Sequence, residues 1–96
     1  MRVEFSDEAK HDLDEIAAFI ARDSIEAADR WVDRLVDRAL AIARAPRSGR
    51  VVPEFGDPLT RQVLVRSYRI IYRIEPKRVL VLTIVEGHRR LRRRGP

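Results

Sequence analysis

The stretch SYRIIYRIEPKRVLVLTIVE, residues 67–86, decides how this chain folds. Tyr68, Ile70, Tyr72 and Ile74 fall at every second position, with Arg69, Ile71 and Arg73 between them. A period of two belongs to a strand, whose successive side chains point to opposite faces. The Tyr/Ile set is therefore expected to pack on a core. The other set is expected to present two guanidiniums on the open face of a sheet. EPKR turns the chain, and VLVLTIVE, residues 79–86, is apolar at almost every position. A strand apolar on both sides belongs inside a sheet. Two strands joined by so short a turn run antiparallel.

Working outward, RQVLV at residues 61–65 reads as one more strand. Before it lies PRSGRVVPEFGDPLT, residues 46–60, with three prolines and two glycines, the composition of a loop. Further upstream the period changes. Ala28, Trp31, Val32, Leu35, Ala39 and Ile42 lie at helical spacing. That helix is capped by Asp23 or Ser24 and ends near Ala45, because the residue before Pro46 avoids helical geometry. Its other face alternates Asp29, Arg30, Asp33, Arg34, Asp37 and Arg38, which reads as a solvated face or an oligomer contact. Ala9, Leu13, Ile16, Ala17 and Ile20 form the apolar stripe of an earlier helix, about residues 7–22. Ser6 caps it, and Asp7 and Glu8 place negative charge in its first turn. RVEF, residues 2–5, alternates as a short strand.

The order is β-α-α-β-β-β. The fold class is α+β, a helical hairpin packed on one face of a small, mainly antiparallel sheet whose other face is partly open. With 96 residues and 45% apolar content, one domain is expected, residues 1–91, followed by a basic tail at 92–96. Residues 89–96 are read as disordered. The chain has no cysteine, which excludes disulfides and thiolate metal sites. Its two histidines, His11 and His88, are too far apart to give ligand spacing, so neither a metal nor a cofactor is expected. No apolar run is long enough to span a membrane, and the first residues lack a signal-peptide core. A soluble cytoplasmic protein with no membrane partner is expected.

Charge is unevenly placed. Residues 1–60 hold 9 Lys+Arg against 13 Asp+Glu, and residues 61–96 hold 11 against 2, so a net +5 is made of −4 and +9. A basic final third favours acidic or polyanionic partners without naming one. Arg61, Arg66, Arg69, Arg73, Arg89 and Arg90 are the candidates for such a binding surface.

At this point the sequence resembles a known superfamily. FSDEAKHDLDEIAAFIARDSIEAADRWVDRL (residues 5–35) resembles the opening helical hairpin of RelE/ParE toxins, PRSGRVVPEFGDP (46–58) their loop, and SYRIIYRIE with VLTIVEGHRRL their closing strands. The resemblance spans about residues 3–91. It implies a toxin from a type II toxin–antitoxin module, silenced in a hetero-oligomer with a cognate antitoxin. The two branches differ in target. RelE-like toxins are ribosome-dependent mRNA endoribonucleases, and ParE-like toxins bind DNA gyrase and stop replication.

For the ribonuclease branch, the resemblance implies Glu54 as general base, His88 as general acid and Arg69 as phosphate clamp. Proton transfer of that kind contributes about 10²–10⁴-fold to a rate. Two features favour the ParE-like branch. The segment after Val85 has no aromatic side chain on which a base could stack. The loop carries Arg47 and Arg50 but no lysine, and arginine cannot serve as a base. In addition, EGHRRL stands where many ParE-like relatives read HGRRDL, so Glu86 replaces their histidine and His88 falls on an arginine position. The expected function is thus a non-enzymatic gyrase inhibitor. An mRNA-cleaving enzyme and a non-toxic drifted member that only partners its antitoxin are the alternatives.

Overall fold

A computed structural model describes residues 1–87. Its elements are β1 (Arg2–Phe5), α1 (Asp7–Ala21), α2 (Ile25–Ala41), two 3₁₀ turns (Ile42–Arg44 and Pro46–Ser48), β2 (Arg50–Val51), β3 (Thr60–Val65), β4 (Tyr68–Ile74) and β5 (Arg78–Glu86). They form a five-stranded sheet in the order β1-β5-β4-β3-β2, with β1 parallel to β5 and every other pair antiparallel. The α+β architecture is the one expected. The reading of residues 89–96 as disordered lies outside the described residues, as does the tail at 92–96.

Both helices begin where the sequence places a serine. Ser6 Oγ accepts from Ala9 N–H at 3.0 Å, and Ser24 Oγ accepts from Ala27 N–H at 3.1 Å. Each satisfies one of the donors a helix start leaves unpaired, typically worth about 1 kcal/mol. Ser24, rather than Asp23, is the cap. The second helix ends earlier than its spacing suggests. The α-geometry stops at Ala41, and Ile42–Arg44 tightens into a 3₁₀ turn before Pro46. Buried Ile42 keeps its place in the core through that tightening.

The alternation in β4 produces the core. Ile70 and Tyr72 are fully buried beneath the helices with Leu35, Ala39, Val63, Val65, Val79 and Val81, and Tyr68 and Ile74 pack at the margin. Tyr72 has a polar tip, so its burial requires a partner. Its hydroxyl donates to the Pro46 carbonyl at 2.5 Å, and burial pushes the phenol above its usual pKa. Gly49 lies against this hydroxyl, and a Cβ there would meet it and also stand 2.8 Å from the Gln62 carbonyl. The loop start is thus pinned to the core by Tyr72, and the missing side chain at position 49 leaves room for its hydroxyl.

Two features of the sheet have no counterpart in the periodicity. β2 pairs with β3 through only Arg50↔Gln62 and Val51↔Arg61, too short to show a pattern. In β5, Ile71 of β4 faces Thr83 while Tyr72 faces Val81, leaving Leu82 as an extra residue. This bulge reverses the alternation, so that Val79, Val81 and Ile84 all reach the core. Its loosened backbone is held from outside. Ser6 Oγ donates to the Leu82 carbonyl at 2.8 Å, and Asp12 Oδ2 accepts from Ile84 N–H at 2.9 Å and from Thr83 Oγ1 at 2.5 Å.

Candidate functional site

The helix-free face of the sheet is where β4 aims Arg69 and Arg73. Residues 52–59 cross that face and change what it offers. Val52 N–H donates to the Thr60 carbonyl at 3.1 Å, while Phe55 and Gly56 N–H groups return to the Val52 carbonyl. Gly56 sits at φ 63°, a conformation that glycine adopts without steric cost. Asp57 closes the turn. It accepts from Leu59 N–H at 3.0 Å, from Thr60 Oγ1 at 3.0 Å and from Arg73 Nη1 at 3.4 Å. The Leu59 amide first, and then the Thr60 hydroxyl, hold its carboxyl below the usual aspartate range.

This turn brings Glu54 over Arg69. Arg69 Nη1 and Nη2 donate to the two Glu54 carboxylate oxygens, each at 2.9 Å, in a bidentate pair. Arg69 Nε and Nη2 also donate to Gln62 Oε1, at 2.8 and 2.6 Å. The Arg69 side chain is 8% exposed and that of Glu54 is 24% exposed. The expectation that Arg69 lies open on the sheet face is therefore corrected. Its guanidinium is roofed by the loop, because a cation this deep needs a carboxylate and Glu54 supplies one. The structure brings Glu54 and Arg69 together as partners in one ion pair.

The other sequence candidates take separate places. Arg61 holds the loop, donating to the carbonyls of Pro58, Arg47 and Gly49 at 2.9, 2.9 and 3.0 Å. Arg73 is about half exposed and faces Asp57. Arg66 is exposed in the two-residue turn between β3 and β4, at φ 54°. His88, Arg89 and Arg90 lie outside the described residues. Gln62 and Asp57 were not among the candidates. Asp57 had a signal, since Asp-Pro-x-Thr is a turn in which the Asp side chain accepts from following residues. Gln62 had none, being one polar position in an otherwise ordinary strand.

Beside this lock runs a shallow groove lined by Arg50, Pro53, Glu54, Gln62, Leu64, Arg66 and Arg69. Leu64 is 55% exposed at its base. Among the described residues, no three His, Cys, Asp or Glu side chains converge as a metal ion would need. No helix among them is long and apolar enough to cross a membrane. What this face can do is hold its own cation closed and offer Arg50, Arg66 and Leu64 to a partner.

Residues 3–91 match the family model of the ParE toxin of type II toxin–antitoxin systems, parDE. The chain belongs to the ParE toxin family. No curated protein matches it. Among solved structures, the ParE-family fold described above is similar to a chain of the chromosomal ParDE toxin–antitoxin system from P. aeruginosa. The TM-score is 0.75 at 20% identity, covering 90% of this chain and 95% of that one. It is also similar to a chain of the toxin–antitoxin complex RelBE2 from Mycobacterium tuberculosis. There the TM-score is 0.66 at 22% identity, covering 88% of each chain. At these identities the likeness is one of fold, and the two branches share it.

Proposed function

We propose that this ParE-family chain is a cytoplasmic toxin that acts by binding a protein target, DNA gyrase, and not by cutting mRNA. A cognate antitoxin silences it in a hetero-oligomeric complex. The observation that carries the reading is the bidentate Glu54–Arg69 pair backed by Gln62. A ribonuclease of the RelE-like design needs its base and its phosphate clamp turned toward RNA. Here both carboxylate oxygens accept from the guanidinium, and all three guanidinium nitrogens donate within the fold. Admitting a phosphate would first require breaking both Glu54–Arg69 bonds, and would then bring a second anion beside the displaced carboxylate. The family match supports the same branch.

The test is a pair of assays on toxin purified away from its antitoxin. Supercoiling by gyrase should be inhibited, and mRNA on programmed ribosomes should stay intact. Codon-dependent cleavage would refute the proposal, and its loss in a Glu54→Gln protein whose circular dichroism shows the fold retained would assign Glu54 to the chemistry. Silence in both assays, with antitoxin binding retained, would identify a drifted member.

A further inference from the structure

A second group of arginines lies on the helical side of the molecule. Arg30 and Arg34, one turn apart on α2, and Arg66, from the β3–β4 turn, line an open notch around Trp31. No carboxylate lines that notch. Among the described residues, none of the three guanidiniums has an ion-pair partner. Trp31 packs edge-on against Tyr68, with ring centroids 5.7 Å apart. The Arg34 guanidinium lies over the indole, 5.3 Å from the ring centroid. A guanidinium over an aromatic face can keep N–H donors for a carboxylate, which it can receive in two bonds. Arg66 reaches the notch from φ 54°, where a glycine would sit without strain.

We infer that Arg30, Arg34 and Arg66, gathered around Trp31, form a docking notch for a carboxylate-bearing segment of a protein partner. Resting on the toxin–antitoxin reading above, that partner is the antitoxin. Two observations choose a protein over a nucleic acid. Arg34 already covers the indole that a base would stack on. The exposed face of α2 also interleaves Asp29, Asp33 and Asp37 with its arginines. A row of phosphates laid there would meet those carboxylates, whereas a peptide of mixed charge can place an acid at the notch and cations beside it. Arg66 lines both this notch and the groove that holds exposed Leu64, so the same segment can pass over the β3–β4 turn and cover that leucine.

Trp31 is the only tryptophan in the chain and reports on the site directly. The probe is the product of the reading frame adjacent to this one, titrated into antitoxin-free toxin while Trp31 emission is followed. Binding should shift the emission, and Arg34→Gln and Arg66→Gly should each weaken it about 10-fold, with a smaller salt dependence. Arg66→Gly suits its φ, so a thermal melt at or above that of the unsubstituted protein separates lost binding from lost folding. Unchanged affinity in both variants would overturn the notch and leave the antitoxin reading standing. Failure of the unsubstituted chain to bind would overturn both. An oligothymidylate that shifts Trp31 emission, and loses affinity in the same variants, would overturn the protein assignment in favour of nucleic acid.

Discussion

Two sets of arginines in this molecule are alike in sequence and opposite in state. Arg69 is roofed, with Glu54 and Gln62 accepting from every nitrogen. Arg30, Arg34 and Arg66 converge on one indole with no carboxylate among them. A net charge counts them equally. The structure separates guanidiniums that hold the fold together from guanidiniums that remain for a partner. Only the second kind contributes to electrostatic attraction in full, since a paired cation is cancelled locally.

The difference can be broken by substitution. Glu54→Ala should have the largest effect on stability, about 3–5 kcal/mol, because it strands a buried cation. Urea unfolding followed by circular dichroism would measure it, and a loss below about 1 kcal/mol would show that Arg69 reaches water without its partner. Replacing both members, Glu54→Leu with Arg69→Met, should recover much of that loss and end within about 2 kcal/mol of the unsubstituted protein. A double substitution no better than Glu54→Ala would mean that the pair is needed for loop geometry as well as charge.

Of the two sets, the locked one was the less legible in the sequence. Glu54 and Arg69 both stood out, yet as members of a catalytic sketch with separate roles. Their pairing joins residues 15 positions apart and depends on Gly56 at positive φ and on Asp57 closing the turn, neither of which periodicity reports. The fold was far more readable. The alternation of Tyr68, Ile70, Tyr72 and Ile74 specified the core face of β4, and Ser6 and Ser24 marked the helix starts. What escaped was short or aperiodic. β2 has two residues, α2 yields to a 3₁₀ turn after Ala41, and the Leu82 bulge shifts a pattern that an all-apolar strand does not display.

Acid should sharpen the contrast further. Asp57 has a carboxyl pKa lowered on folding by the Leu59 amide and the Thr60 hydroxyl. A group of this kind adds stability above its unfolded pKa, and that contribution is lost as the pH falls through the folded value. Stability should therefore drop below about pH 4, the ordinary aspartate range. Asp57→Asn should flatten that part of the profile, as followed by urea midpoints from pH 6 down to about pH 2.5. An identical slope in both proteins would remove Asp57 from the account.

The notch should be nearly silent in the same experiments. Arg66→Gly is expected to raise stability by up to about 1 kcal/mol by relieving its left-handed backbone. Arg34→Gln, at an exposed position, should change stability by about 0.5 kcal/mol or less. A loss of more than about 2 kcal/mol in either would place these side chains with the locked set.

The parallel pairing of β1 with β5 has a consequence in time. Arg2 aligns with Arg78 and Phe5 with Val81, so the first strand waits for the last one in chain order. β5 also supplies one of the two neighbours of β4 and the carbonyls that receive Ser6. Synthesis at roughly 5–20 residues per second delivers the helical hairpin and four strands before the strand that joins β1 to the rest of the sheet. Throughout that interval β1 has no strand to join, and one side of β4 stays open. Nascent chains halted after Ile74 should accordingly be cut readily by protease, and chains extended past Glu86 should resist. A ribosome making this protein thus emits an incomplete sheet until its final strand emerges, leaving a window in which a partner already present meets the chain before it has closed.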